Sequence, residues 1–188
     1  MSGARQAAFS FTLPRIQPGT RILDIGAGNS PLAGMLAREK RCSVLAVDIN
    51  SKRLTWAWKD ADERYEIKVS DLTRLSLPVG SFDAAVATYS LQHMINYEPL
   101  AWVLARQWLK KGGQLIAAAR YRLNSPIYEG DRGDPLISQD EHTIAVLASY
   151  CGFAVVGIQP YWYNEQTFSE ETIGSPRANC VLFELKAK

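Results

Sequence analysis

A chain of 188 residues, 47% of them hydrophobic, is long enough to bury one well-packed core and short for two, so a single domain over 1–188 is expected. The formal charge of +2 comes from 21 basic and 19 acidic residues spread along the sequence, which leaves no basic stripe to argue for a nucleic-acid partner. Three cysteines without metal spacing and two histidines do not make a metal site. With no run of eighteen apolar residues either, a cytoplasmic protein with reduced thiols, no metal and no membrane segment is expected.

In chain order, residues 1–19 read as a short lead, with Phe9, Phe11 and Leu13 apolar and Pro14 and Pro18 breaking regular structure. Arg21 to Ala33 then reads as a buried strand, a glycine turn and a helix start in succession. Ile22, Leu23 and Ile25 give the apolar run of an interior parallel strand, and Gly26 and Gly28 free the backbone to turn sharply against a ligand. Ser30 can cap the helix that follows, Pro31 suits its first position, and Leu32, Met35 and Leu36 recur at helical spacing. Such a turn serves dinucleotides and S-adenosylmethionine alike, but two details separate them. Pro31 stands where a dinucleotide fingerprint wants its third glycine, and Asp24 would repel a pyrophosphate while suiting an ammonium and a sulfonium.

Cys42 to Val47 predicts a second strand ending at Asp48, whose carboxylate can accept both hydrogen bonds of a ribose diol. A helix over Ser51 to Ala61 and a strand over Tyr65 to Val69 follow. Asp83 to Thr88 predicts the fourth strand, and Tyr89 to Asn96 the loop leaving its ligand-binding end. Asn96 is placed to cap a helix running to Trp108, with Leu100, Val103 and Leu104 on one face. Lys110 to Gly113 turns into a fifth strand reaching Ala119. Ser138 with Glu141 predicts a capping box for a helix that stops at Gly152, and Phe153 to Ile158 and Asn179 to Leu185 read as two further strands.

Three segments together carry a resemblance: Asp24-x-Gly26-x-Gly28 with Ser30 in the third glycine's place, Asp71 followed by Leu77-Pro78 and Phe82-Asp83, and Trp108 to Gly113 entering the fifth strand. Over roughly Thr20 to Arg120 the chain resembles the class I S-adenosylmethionine-dependent methyltransferases, most closely the broad small-molecule type 11 branch. The resemblance implies an α/β fold, a single three-layer Rossmann-like domain with a seven-stranded mixed sheet in the order 3-2-1-4-5-7-6 and its last strand antiparallel. Residues 20–120 would form the cofactor-binding half and 121–188 the substrate-side half. The implied cofactor is S-adenosylmethionine, leaving as S-adenosylhomocysteine, contacted by Asp24, Gly26, Ala27, Gly28, Asp48, Ile49, Asp71, Leu72 and Thr88. In those roles Asp71 accepts from the adenine amino group, the Leu72 N–H serves the ring, and Ile49 packs on its face.

Under that topology Tyr121 to Ile137 and Tyr161 to Arg177 are long loops at the ligand edge, expected to stand in for a missing N-terminal cap as a mobile, substrate-facing lid. Tyr89, His93, Tyr121, Tyr161 and Trp162 are the candidates to position an acceptor, with His93 and Tyr121 the candidates for proton transfer. Plainer roles, as turn or packing residues, stand beside each of these. The fourth strand is followed by Ala-Thr-Tyr-Ser, not by the Asn/Asp-Pro-Pro-Tyr/Phe of base-amino methyltransferases, and no cysteine follows a proline there. Small metabolites and proteins remain as acceptors, and the resemblance to the small-molecule branch implies a small metabolite. The alternatives are a protein or peptide methyltransferase, a catalytically silent partner subunit and, weakest, an NAD(P)-dependent oxidoreductase.

Overall fold

The computed structural model describes residues 3–54, 63–94, 98–121, 127–129, 135–137, 139–161 and 178–188. The strands in chain order are β1 (Arg21–Ile25), β2 (Ser43–Asp48), β3 (Tyr65–Val69), β4 (Phe82–Thr88), β5 (Leu109–Arg120), β6 (Ile127–Glu129), β7 (Pro135–Ile137), β8 (Phe153–Tyr161) and β9 (Cys180–Ala187). Seven of them form one sheet in the order β3-β2-β1-β4-β5-β9-β8, while β6 and β7 pair separately. Strands β1 to β5 are mutually parallel, and β9 runs antiparallel to both β5 and β8. Leaving the small hairpin aside, this is the 3-2-1-4-5-7-6 sheet that the resemblance implies.

The period of two along each strand divides the interior into two layers. Leu23 and Ile25 of β1 join a core containing Ala87, Leu115, Ala117 and Phe183, whereas Ile22 joins one containing Val44, Ala46, Val86 and Leu182. Helices α3 (Glu98–Trp108) and α4 (Glu141–Tyr150) cover the first face; α1 (Gly3–Thr12) and α2 (Leu32–Glu39) cover the second. With both faces covered, β1 has to be apolar throughout, which makes its one buried carboxylate conspicuous.

Several sequence expectations are corrected. The lead is a ten-residue helix, because Pro14 and Pro18 both fall beyond its end and Ala7, Ala8, Phe9 and Phe11 are buried. Arg15 fastens it: its Nη1 donates to the Phe11 carbonyl at 2.8 Å, its Nε to Glu184 at 3.1 Å, and its guanidinium lies over the Phe11 ring. Helix α1 lies against β4, β5 and β9, so the N-terminal cover is present. In α3 the buried face is Glu98, Ala101, Trp102, Ala105 and Trp108, while Leu100 and Val103 are exposed and Leu104 is only partly buried. Trp102 decides the rotation of that helix, since its indole stacks on Phe183 at 5.6 Å and meets Phe153 edge-on at 6.3 Å, burying more area than Leu or Val could.

Asp140, not Ser138, caps α4, its Oδ1 accepting from the Thr143 N–H at 2.7 Å, while the other half of the expected box, Glu141, accepts from the Tyr121 hydroxyl at 2.7 Å. An ionised carboxylate at the N-cap complements the helix dipole better than a hydroxyl. Within 51–61 only a 3₁₀ turn, Ser51–Arg53, is described, capped by Asn50. The stretch expected as one loop from Tyr121 to Ile137 contains the β6–β7 hairpin. Asn96, Ser138, Trp162, Gly130, Asp131, Gly133 and Asp134 lie outside the described residues.

A buried polar chain fixes the ligand end of β5. The Arg120 N–H donates to Gln92 Oε1 and its carbonyl accepts from the Gln139 N–H, each at 3.0 Å, while the Gln139 side-chain amide donates to Glu98. Gln139 is fully buried and Glu98 nearly so, and burial pushes the Glu98 carboxyl up from its ordinary 4.5 to about 7. Between those values the folded protein keeps a proton that the unfolded chain has lost, so this group's contribution to stability falls as pH rises through the window and levels off above it. Glu98→Gln does not titrate. Measured by urea unfolding from about pH 5 to 8, the stability difference should move in the variant's favour as pH rises; a difference independent of pH would refute the assignment.

Candidate functional site

At the C-terminal end of β1 the chain turns through Gly26, Ala27 and Gly28, with φ of +66° at Gly26 and +51° at Gly28. Only glycine fits at Gly26 for a second reason: a Cβ there would stand 2.4 Å from Ser90 Cβ. Ser90 follows β4, and its hydroxyl donates to the Ile25 carbonyl at 2.6 Å. Tyr89, just before it, takes φ +54°, a left-handed conformation that a non-glycine residue holds only where its surroundings compel it. The turns leaving β1 and β4 are thereby clasped together. Ser30 accepts from the Leu32 N–H at 3.3 Å, and the Met35 N–H bonds to the Pro31 carbonyl at 2.9 Å, so α2 opens directly out of the glycine turn.

The same turn is tied to β2. The Ala27 N–H donates to the Val47 carbonyl at 3.0 Å and the Gly28 N–H to Asp48 Oδ2 at 2.9 Å. Asp48 Oδ1 accepts from the Asn50 N–H at 2.8 Å, so each carboxylate oxygen is oriented by one backbone donor and keeps a further lone pair. Ile49, immediately next, is an apolar side chain left 65% exposed. Past β3, Asp71 caps a 3₁₀ turn, its Oδ1 accepting from the Thr73 N–H at 2.9 Å and the Thr73 hydroxyl at 2.8 Å, and these bonds hold its carboxyl below the usual range. Leu72 beside it is buried.

Asp24 is the exception in β1. It is 2% exposed, and its Oδ2 has no hydrogen-bond partner among the described residues. Burial, and then the neighbouring Asp48, push its carboxyl up to about 7. A glycine turn without side chains to obstruct approach, a carboxylate with lone pairs to spare, an exposed apolar side chain and a buried carboxyl lacking a donor on one oxygen fit a ligand that has a ribose, a flat base and a cationic end.

On the acceptor side the candidates divide. Thr88 is half-buried at the end of β4, paired in register with Ala118. The Tyr89 and Tyr161 hydroxyls are hydrogen-bonded to each other on the face that α1 covers, and burial raises both phenols, so they serve as neutral hydrogen-bonding groups. Cys180 and Arg120 share this corner, with Arg120 Nη1 4.0 Å from the Cys180 sulfur. Sequence reasoning missed both, although the alternation of β5 through Ala118 would have put Arg120 on this face. Tyr121 falls on the opposite face, with its hydroxyl donating to Glu141 and its pKa raised to about 12 by burial. It is not brought together with Tyr89 and Tyr161. His93 is exposed in the 3₁₀ turn Leu91–His93, its N–H bonded to the Ser90 carbonyl at 3.1 Å.

The clasp at Gly26 has a control elsewhere in the chain. Gly80 has a similar φ of +62° with open space where a Cβ would go. Gly26→Ala should therefore lower unfolding free energy by clearly more than Gly80→Ala, whose cost of about 1–3 kcal/mol is backbone strain alone. Equal losses in denaturant titrations would show that the approach of Ser90 is not a constraint.

A family model described as a methyltransferase domain matches residues 23–117. The 27-O-demethylrifamycin SV methyltransferase of Amycolatopsis mediterranei is 34% identical over 119 residues, 59% of this chain, and the match spans only 42% of that relative's length. Among solved structures, the 1,6-didemethyltoxoflavin-N1-methyltransferase of Burkholderia thailandensis, bound to 1,6-didemethyltoxoflavin and S-adenosylhomocysteine, has a TM-score of 0.78 at 16% identity, covering 98% of this chain and 78% of its own. An S-adenosylmethionine-dependent methyltransferase from Mesorhizobium loti gives 0.74 at 20% identity, with 97% of each chain covered. At these identities the two structures establish a shared fold.

Proposed function

The chain belongs to the methyltransferase-domain family that its residues 23–117 match, and on that premise we propose that it transfers the methyl group of S-adenosylmethionine to a small-molecule acceptor. The observation that carries the proposal is the glycine turn locked to Asp48 through the Gly28 N–H, with Asp24 buried beside it and one oxygen without a donor. Asp48 holds the ribose hydroxyls, Asp71 accepts from the adenine amino group, the Leu72 N–H serves the ring, and Ile49 covers its face. Gly26, Ala27 and Gly28 bring their backbone against the ligand, Thr88 borders it from β4, and Asp24 faces the ammonium of its amino-acid end. When bound, S-adenosylmethionine supplies an electrophilic methyl on a positive sulfur.

The remaining task of the protein is to hold an acceptor in line and exclude water. Tyr89, Tyr161 and Trp162 wall the acceptor, with His93 at the rim. Where the acceptor loses a proton, His93 is the group to take it, since the Tyr121 hydroxyl is committed to Glu141 and the raised Tyr89 and Tyr161 phenols are poor bases. The relative and the Burkholderia neighbour are each named for a small-molecule acceptor, which supports that class. No helix among the described residues is long and apolar enough to cross a membrane, and a cytoplasmic location and a single domain over 1–188 complete the reading.

Calorimetric titration decides it. The wild type should bind S-adenosylhomocysteine and not NADH, and Asp48→Ala should lose about 2–4 kcal/mol of that binding, because a charge-assisted pair of hydrogen bonds is removed. Binding of NADH alone, or a folded Asp48→Ala with undiminished affinity, would overturn the proposal.

A further inference from the structure

Two carboxylates stand at the ends of adjacent strands and are bonded unequally. Asp48 has a backbone N–H on each oxygen. Asp24 lies next to it on β1, paired in register with Ala46 two residues before Asp48. It is 2% exposed, with Oδ2 lacking a partner among the described residues. An anion buried with an unsatisfied oxygen beside a second anion is costly, whereas a neutral carboxyl in the same place is cheap.

The cations described on this face are placed elsewhere: Arg120 lies by the Cys180 sulfur, and Arg15 is bonded to Glu184. Helix α1 contributes Ala7, Ala8, Phe9 and Phe11 to that layer, α2 contributes Leu32, Ala33 and Leu36, β4 contributes Val86, and the turn contributes Ala27. From β2 comes Asp48, the charged group acting on Asp24 among the described residues.

We propose that Asp24 carries a proton in the cofactor-free protein and releases it to solvent when the ammonium of the cofactor's amino-acid end arrives, so that cofactor capture and deprotonation are one event. The inference rests on the reading of this turn as an S-adenosylmethionine site. Charge in the pocket is conserved through the exchange: one positive unit leaves as the proton, another enters on the ligand, and the carboxylate that remains gains the partner its Oδ2 lacks. The proton and the ligand then compete. Because burial and Asp48 set the Asp24 carboxyl at about 7, affinity should fall about tenfold between pH 8 and pH 6, the loss developing as pH drops through neutrality.

The test uses S-adenosylhomocysteine as the probe, titrated calorimetrically at about pH 6 in phosphate and in imidazole, whose ionisation enthalpies differ. Wild type should release close to one proton per ligand bound, and Asp24→Asn, at saturating ligand, should release none. In addition, the Asp24 side-chain carbon of the labelled wild type should titrate near neutrality by NMR when free and stay ionised when bound, a result that stands if Asp24→Asn does not fold. Binding whose heat is the same in both buffers, an undiminished proton release in Asp24→Asn, or an Asp24 carboxyl already ionised in the free protein at pH 6 would overturn the inference while leaving the cofactor assignment intact. Absence of S-adenosylhomocysteine binding at every pH would overturn the assignment and the inference with it.

Discussion

The approach of Gly26 to Ser90 sets the geometry on which the candidate site depends. A side chain at position 26 would overlap Ser90 Cβ, and the Ser90 hydroxyl bonds back to the Ile25 carbonyl, so the ends of β1 and β4 are drawn together. That closure is bought with a left-handed Tyr89, whose hydroxyl bonds the Tyr161 hydroxyl on the α1 side of the sheet. From the other flank, Asp48 accepts from the Gly28 N–H, so the glycine turn is held between β4 and β2 by contacts that each need a particular residue. A pocket made this way is preorganised, since its backbone donors and carboxylates do not have to be ordered when a ligand enters.

The sheet also sorts its polar groups by face. On the side covered by α1 and α2 lie Asp24 at the end of β1, Tyr89 after β4, Cys180 at the start of β9 and Tyr161 at the end of β8. On the side covered by α3 and α4 lie Tyr121 with Glu141, and Glu98 with Gln139. The first group shares the face on which the glycine turn opens into α2. The second lies behind the sheet, where Gln92 and Gln139 hold the backbone of Arg120 at the end of β5. Both layers thus contain a carboxyl raised toward neutrality by burial, and only Asp24 stands in the glycine-turn strand.

The glycine turn and the strands around it were legible in the sequence because their signals are local. Asp24, Gly26 and Gly28 sit within one turn, Asp48 ends the next strand, and a continuous apolar run announces a strand buried on both sides. The Ser30 hydroxyl likewise bonds a near neighbour, the Leu32 N–H, although Pro31 and not Ser30 holds the N-cap position of α2. Each of these features is fixed by backbone chemistry over a few residues, so the order of residues was enough to predict the sheet's first strands, the turn and the ligand class.

What only the tertiary structure decided are the contacts between residues far apart in the chain. The lead is a helix because Arg15 reaches Glu184 and because apolar residues of the second layer are there to receive Phe9 and Phe11. Helix α3 turns Trp102 inward because Phe153 and Phe183 shape a place for an indole, and Leu100 is left outside although its own spacing is as apolar. Tyr121 and Tyr161 look equivalent as aromatic residues near strand ends, yet strand parity and pairing send them to opposite faces. Local sequence determined the strands, the glycine turn and the carboxylates beside it, since short-range hydrogen bonding and periodicity suffice for them. Which aromatic and carboxyl groups meet was settled only when the strands took their neighbours, because burial and charge pairing depend on what lies across the sheet.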